Sequence, residues 1–568
     1  MFFRTKKSGP RTYLQLVENR WEDGRSRQHV LATLGRLDQL QASGQLDALL
    51  VSGARFAQSL LLLSAQAEGR VPVLTTRSLG PGLLFERLWR QTGCQAVVEQ
   101  FLAERHFSFP LERAVFLTVV HRLLQAGSDR AAAKWRDDYV LEGCESLQLH
   151  HLYRAMAWLG EELAQDQQAA RTPFAPRCVK DHIEEGLFHR RQELFTGLDL
   201  VFFDTTSIYF EGEGGDTLGQ RGHSKDHRPD LYQMVVGAVL DGEGRPVCCE
   251  LWPGNTTDVK TLVPIVERLQ ARFGIRRICI VADRGMISQE TLTELEKPER
   301  GWQYILGARM RAQTEVREEV LARAGRYHVV HPPRAQSKDP SPLKVKEVWV
   351  DERRYVVCLN EDEARKDAAD RQAIVAALRE QLRRGDKSLI GNRGYRRYLG
   401  QSGEARFVID EAKIAAETRY DGKWVLRTNT ELTSSELALQ YKQLWRVEHW
   451  FRSCKSLLET RPIYHKRDAT IRGHVFCSFL ALVLRQELEA RLEARGEEWE
   501  WADVVRDVER LRLVEVEHEG KRFWLRSEAQ GMCGKAFQAA GVALPPTVRQ
   551  VPAGAQDPAG AHGATPVT

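Results

Sequence analysis

The chain contains no C-x-x-C pattern, and its ten cysteines stand singly except for the adjacent Cys248 and Cys249. This spacing excludes a zinc ribbon and a dithiol redox motif, and is read as reduced thiols in a cytoplasmic protein. Long apolar runs are also missing. Stretches such as Phe479 to Leu484 are far shorter than a membrane span, and the opening MFFRTKKSGPRTY reaches charge and proline too early for a signal peptide. No membrane role is expected. Net charge is small, since 82 Lys and Arg against 77 Asp and Glu leave +5 over 568 residues. An anionic partner must therefore be met by local basic clusters and not by the field of the whole molecule. No internal repeat is found. What is present, 42% hydrophobic and 28% charged residues, is a globular composition with a core, at a length that calls for several packed units.

The pattern divides the chain. Residues 1–50 alternate apolar and polar side chains in TYLQLVENRW and RQHVLATLG around the turn-like EDGRSR, which predicts a small basic β-hairpin unit. Residues 54–195 are helical in pattern and are assigned to DNA binding or dimerisation. From 196 to 310, LDLVFFDTT, YQMVVGAVLD and RRICIVADRG read as strands of a mixed sheet. Residues 311–408 form an inserted β-rich subdomain containing one charged helix. Strands return at 409–490, where T-S-S-E from Thr433 to Glu436 has capping-box spacing and predicts one long helix ending before Pro462. Residues 491–544 carry no nameable motif and are assigned to dimerisation, and 545–568, rich in Pro, Gly and Ala, are expected to be a disordered tail.

Asp204 and Asp283 each end an apolar strand. Either one alone is the sort of residue that forms a turn or cap. Together, on neighbouring strands, they would place two carboxylates at one sheet edge, a costly arrangement unless a divalent cation neutralises it. Glu448 is the candidate third acid. At about 100° per residue, Tyr441, Leu444, Glu448 and Lys455 share a helix face; the plain alternative is a solvated Glu/Lys face. Asp258 reads as a helix cap or as support for the acids. Trp302 reads as core, with stacking on a flipped base as a minor alternative. His223, His227 and His465 lack Cys partners at ligand spacing, which argues against zinc.

These residues resemble the triad of DDE transposases of bacterial insertion sequences, in the insertion-sequence-four-like branch with a β-rich insertion before the Glu. Tyr441, Glu448 and Lys455 match the branch signature, while Leu444 stands where the family has Arg; Arg446 and Arg452 are the nearby cations. Further matching segments run from Gly222 to Gln233, Pro253 to Asp258 and Arg461 to His465. The resemblance implies an α/β chain with an RNase H-like mixed-sheet catalytic domain split by the insertion. It implies two Mg²⁺ or Mn²⁺ ions held by Asp204, Asp283 and Glu448, with DNA contacts from Tyr441, Lys455, Lys225, Arg228 and Arg452. The implied partners are double-stranded DNA, as transposon ends and target, and a second copy in a homodimeric synaptic complex near the nucleoid. The implied activity is cut-and-paste cleavage and strand transfer at terminal inverted repeats. Two other readings stay open. One is a catalytically impaired DNA-binding derivative, suggested by Leu444. The other is a phosphohydrolase using Asp204 as nucleophile, although Thr206 stands where such enzymes need a second Asp.

Overall fold

The computed structural model describes the chain except residues 23–24, 55–68, 70–71, 104, 170, 172–174, 191–198, 276, 337, 385–394, 396, 403–405, 519 and 552–568. The N-terminal hairpin gains a strand. β1 (Phe2–Ser8), β2 (Arg11–Glu22) and β3 (Arg25–Arg36) form an antiparallel three-stranded sheet, followed by helices Leu37–Ala42 and Gln45–Ala54. β4 (Val73–Ser78) then precedes a run of helices that includes Leu111–Leu124, Leu149–Leu159 and Val179–His189.

The central layer is built from β5 (Asp199–Tyr209), β6 (Gln233–Asp241), β7 (Pro246–Pro253), β8 (Ile278–Ala282) and β9 (Gln303–Gly307). β10 (His328–His331), β11 (Leu343–Val350) and β12 (Arg353–Leu359) follow. β13 (Leu399–Ser402) and β14 (Arg406–Ile409) pair only with each other, and β15 (Lys423–Thr428) returns to the centre. The nine-stranded order is β10-β11-β12-β15-β9-β8-β5-β6-β7. Strands β5, β8 and β9 run parallel, and all the other neighbours are antiparallel. The molecule is thus a mixed α/β fold in which β10 to β12, from the segment expected as an insertion, extend the same hydrogen-bonded sheet.

Both faces of the sheet are covered, which explains why β5, β6 and β8 read as near-continuous apolar runs. Phe202 and Ile208 point to one core, shared with the helical region, while Val201 and Phe203 point to the other. Helix Asp468–Ala494 packs against Leu111–Leu124 and Leu149–Leu159 in the first core. There a Cβ on Gly473 would lie 1.9 Å from the Met156 carbonyl oxygen, so this crossing requires glycine.

The expected single helix from Thr433 is divided. Thr433 and Glu436 do form the capping box that starts helix Ser434–Lys442. At Gln443 and Leu444 the backbone tightens into three-residue hydrogen bonds, and helix Trp445–Arg452 and a wider turn, Ser453–Leu457, follow. The C-terminal region folds back on the rest. β16 (Arg512–His518) pairs with β4 and with β17 (Lys521–Arg526), and β17 pairs with β18 (Val548–Gln550). β18 therefore corrects the expectation that structure ends at 545, because its backbone completes the edge of that sheet. The remainder of the expected tail, from 552, lies outside the described residues. Among the described residues no helix is long and apolar enough to cross a membrane, and all ten cysteines are buried free thiols.

Candidate active site

Parallel register sets the first two acids side by side. Phe203 of β5 pairs with Ala282 of β8, and Ala282 pairs with Leu306 of β9. The next residues along these strands are Asp204, Asp283 and Gly307, at one level of the sheet. Helix Trp445–Arg452 packs against β5 and β6, and its Glu448 joins Asp204, Asp283, Trp424, Tyr441, Lys442, Leu444 and Trp445 around a cleft of about 350 Å³. Three of the four residues expected on one helix face, Tyr441, Leu444 and Glu448, line this cleft. Lys455 turns away, because the chain has left the regular helix by Ser453.

A fourth carboxylate approaches the acids. Thr205 Oγ1 donates to Asp258 Oδ1 at 2.6 Å, and Lys225 Nζ lies 3.0 Å from Asp258 Oδ2. Lys225 Nζ also donates to the Thr205 carbonyl oxygen at 2.7 Å and to Thr205 Oγ1 at 2.9 Å. A Cβ on Gly285 would be 3.8 Å from an Asp283 oxygen and 3.9 Å from an Asp258 oxygen, so these two carboxylates converge on the same loop. The Asp258 side chain is thus engaged by Thr205 and Lys225 and not by a helix end. Burial, with Asp283 and Asp258 nearby, pushes the Asp204 carboxyl up to about 6, against the pull of Lys225 and the Thr205 N–H. Burial is the main cause of this rise, with the neighbouring carboxylates adding to it.

Tyr441 Oη donates to Asp283 Oδ1 at 3.1 Å. The opposing strand leaves room for it only because residue 307 is glycine: a Cβ there would sit 2.3 Å from Tyr441 Oη. Neither Gly307 nor Thr205 had a signal in the sequence, since their importance comes from neighbours distant along the chain.

The other sequence-predicted residues are placed as follows. Lys455 Nζ pairs with Asp226 Oδ1 at 2.8 Å and Arg461 pairs with the same oxygen at 2.5 Å, tying the 222–233 loop to the turn beyond Glu448. Arg228 is exposed and pairs with Asp230. Arg452 is exposed on the Glu448 helix. Arg446 reaches the Gly242 carbonyl oxygen on the far side of that helix. Leu444, where an Arg was expected, is buried among core side chains. Trp302 is 3% exposed, with the Arg300 guanidinium 4.3 Å above its ring, and is core. The exposed indole at the cleft is Trp445, at 55%.

Among the described residues, the groups of three whose ligand atoms lie within 4.8 Å of one another, close enough to hold a metal ion, are Asp129, His465 and His474, and Glu184, Cys248 and Glu250; Asp204, Asp283 and Glu448 share a cleft without that spacing. His465 thus has partners that sequence spacing did not show. Both groups already contain protein cations. Arg122 contacts His474 Nδ1 at 2.9 Å and lies 3.7 Å from Asp129. Lys180 and Arg272 pair with Glu184, and Arg268 and Arg272 pair with Glu250. Positive charge supplied by the chain reduces the pull of either group on an ion.

Comparison with known proteins gives two family matches. Residues 196–484 match the transposase DDE domain, and residues 3–67 match the IS1634 family transposase N-terminal domain. No curated protein matches. Similar solved structures include a piggyBac transposase synaptic complex with hairpin DNA, at 11% identity and a TM-score of 0.37, covering 76% of this chain and 79% of that one. A Mos1 transposase paired-end complex with the left transposon end is 13% identical with a TM-score of 0.13, covering 37% and 66%.

Proposed function

Because this chain belongs to the transposase DDE domain family, which accounts for more than half of its length, we propose that it cleaves and joins DNA at the terminal inverted repeats of an insertion sequence. The observation that carries this reading is the convergence of Asp204, Asp283 and Glu448 on one cleft, all within the matched segment. By this reading the layer β5 to β9 is the RNase H-like catalytic core, and the synaptic complex is a homodimer holding two ends.

The donor set fits hard divalent cations. Carboxylate oxygens are the preferred ligands of Mg²⁺ and Mn²⁺, and Asp204, Asp283 and Glu448 line one cleft. Asp204, Asp283 and Glu448 would hold two such ions, with Asp258 beside them. When bound, the ions activate the attacking hydroxyl and stabilise the leaving oxygen of a phosphodiester. Tyr441 orients Asp283 through its hydroxyl, and Lys225 fixes Asp258 and Thr205 on the other flank. Trp445 forms an apolar wall at the entrance.

The test is cleavage by the purified chain of DNA carrying the sequences that flank its coding region. Nicks at the repeat ends that require Mg²⁺ and vanish with EDTA are expected; DNA left intact with both Mg²⁺ and Mn²⁺ would overturn the proposal.

A finer prediction concerns Gly307. Gly307→Ala should displace the Tyr441 hydroxyl and slow cleavage about as much as Tyr441→Phe, roughly fivefold for one hydrogen bond of about 1 kcal/mol. In the Tyr441→Phe background, Gly307→Ala should add little, since the bond is already gone. Fully additive losses would show that Gly307 acts elsewhere.

A further inference from the structure

Asp283 is a wall shared by two cavities. On its other side lies a pocket of about 320 Å³ bounded by Arg284, Gly285, Arg309, Met310, Arg311 and Ala312. Its three guanidiniums are used differently. Arg311 is matched by Glu417 at 3.0 Å. Arg309 donates from Nε to the Arg284 carbonyl oxygen and from an Nη to the Gly285 carbonyl oxygen, both at 2.9 Å, which fixes the loop without cancelling the charge. Arg284 is exposed, and among the described residues no ion pair neutralises its guanidinium.

On the opposite wall of the acidic cleft Leu444 is apolar and Lys455 is committed to Asp226, Lys442 is half-buried near the Trp424 ring, and Arg452 is exposed on the Glu448 helix. A strand lying across the acids would find compensating charge for its next phosphate on the Arg284 side. We propose that the Arg284, Arg309 and Arg311 pocket binds a backbone phosphate of the DNA strand adjacent to the bond being cut, with Arg284 as the contacting residue and Arg309 as the brace that shapes its loop. This inference rests on the reading of the neighbouring cleft as a metal-dependent DNA-cleaving site.

The test uses the full chain and a short fluorescein-labelled duplex carrying the flanking repeat, with anisotropy read in EDTA across a salt series so that binding is separated from cleavage. Arg284→Ala should weaken binding several-fold and lower the slope of log affinity against log salt by about one, the value for a single lost phosphate contact. Arg284→Lys should keep the slope, and Arg365→Ala, on the remote helix Glu361–Arg384, should leave both unchanged. With Mg²⁺, Arg284→Ala should raise the KM for DNA more than it lowers kcat. Wild-type affinity and slope in Arg284→Ala, or no duplex binding by the wild type, overturns the pocket. The predicted losses of affinity and slope in a chain that cuts no DNA with Mg²⁺ or Mn²⁺ would support phosphate binding while refuting the cleavage reading.

Discussion

Asp204→Ala, Asp283→Ala and Glu448→Ala should each reduce metal-dependent strand cleavage by at least about a thousandfold, equivalent to ~4 kcal/mol of barrier at ~1.4 kcal/mol per tenfold. By the proposed reading each change would remove a hard oxygen ligand from a cleft to which strand register and the packing of helix Trp445–Arg452 bring the three acids. DNA binding without metal should survive in all three variants. Removing a carboxylate from beside phosphates eases their approach, so affinity should hold or rise slightly. The measurement is a pair of assays, duplex binding in EDTA and single-turnover cleavage in Mg²⁺. Wild-type cleavage by any one variant would remove that acid from the mechanism. Asp258→Asn separates a supporting carboxylate from an essential one: a smaller loss than Asp283→Ala is expected, because Asp258 is already engaged by Thr205 and Lys225.

The largest stability effect is expected away from the cleft. Arg272 has a side chain with 0% exposure and touches Glu184 at 2.6 Å, Glu185 at 2.8 Å and Glu250 at 2.9 Å, besides donating to the Asp181 carbonyl oxygen at 2.9 Å. Arg268 and Lys180 complete a buried network that joins helix Val179–His189, helix Leu262–Phe273 and β7. Arg272→Ala leaves several buried carboxylates short of positive charge and should cost about 3–5 kcal/mol, as breaking buried ion pairs does. Arg506→Ala, which removes an exposed guanidinium paired with Asp503 and Asp507, should shift stability far less, because solvent screens an exposed pair. Denaturant midpoints of the two variants against wild type check this, and equal shifts would mean that the network holds little together. The network also bears on the site, because the loop carrying Asp258 connects β7 to helix Leu262–Phe273. Its loss should therefore loosen Asp258 as well as the fold.

Legibility in the sequence followed the range of the interaction. Asp204 and Asp283 could be found because an apolar run that stops at an acid is a local pattern, and Glu448 because helical periodicity is local too. The capping box at Thr433 was readable for the same reason. The break at Gln443 and Leu444 was not, since nothing in the residue types there opposes helix; packing of Trp445–Arg452 on β5 and β6 sets it. The C-terminal segment carried no motif because its order comes from pairing β16 with β4, more than 400 residues earlier.

The sequence by itself determined that apolar runs meet acids at Asp204 and Asp283, although β5 continues through Asp204 to Tyr209 and only β8 stops before its acid, that a capping box starts a helix at Thr433, that no membrane-length run or cysteine motif exists, and which family's motifs the chain bears in order. Only the tertiary structure decided how those residues are used. It brought Asp258 to Thr205 across 53 residues, Tyr441 to Asp283 across 158 and Lys455 to Asp226 across 229. It also turned Gly307 from an ordinary strand end into the space that the Tyr441 hydroxyl occupies. The physical reason is that side-chain periodicity and capping act over a few residues, whereas charge compensation and steric room depend on which distant segments the packed sheet makes neighbours.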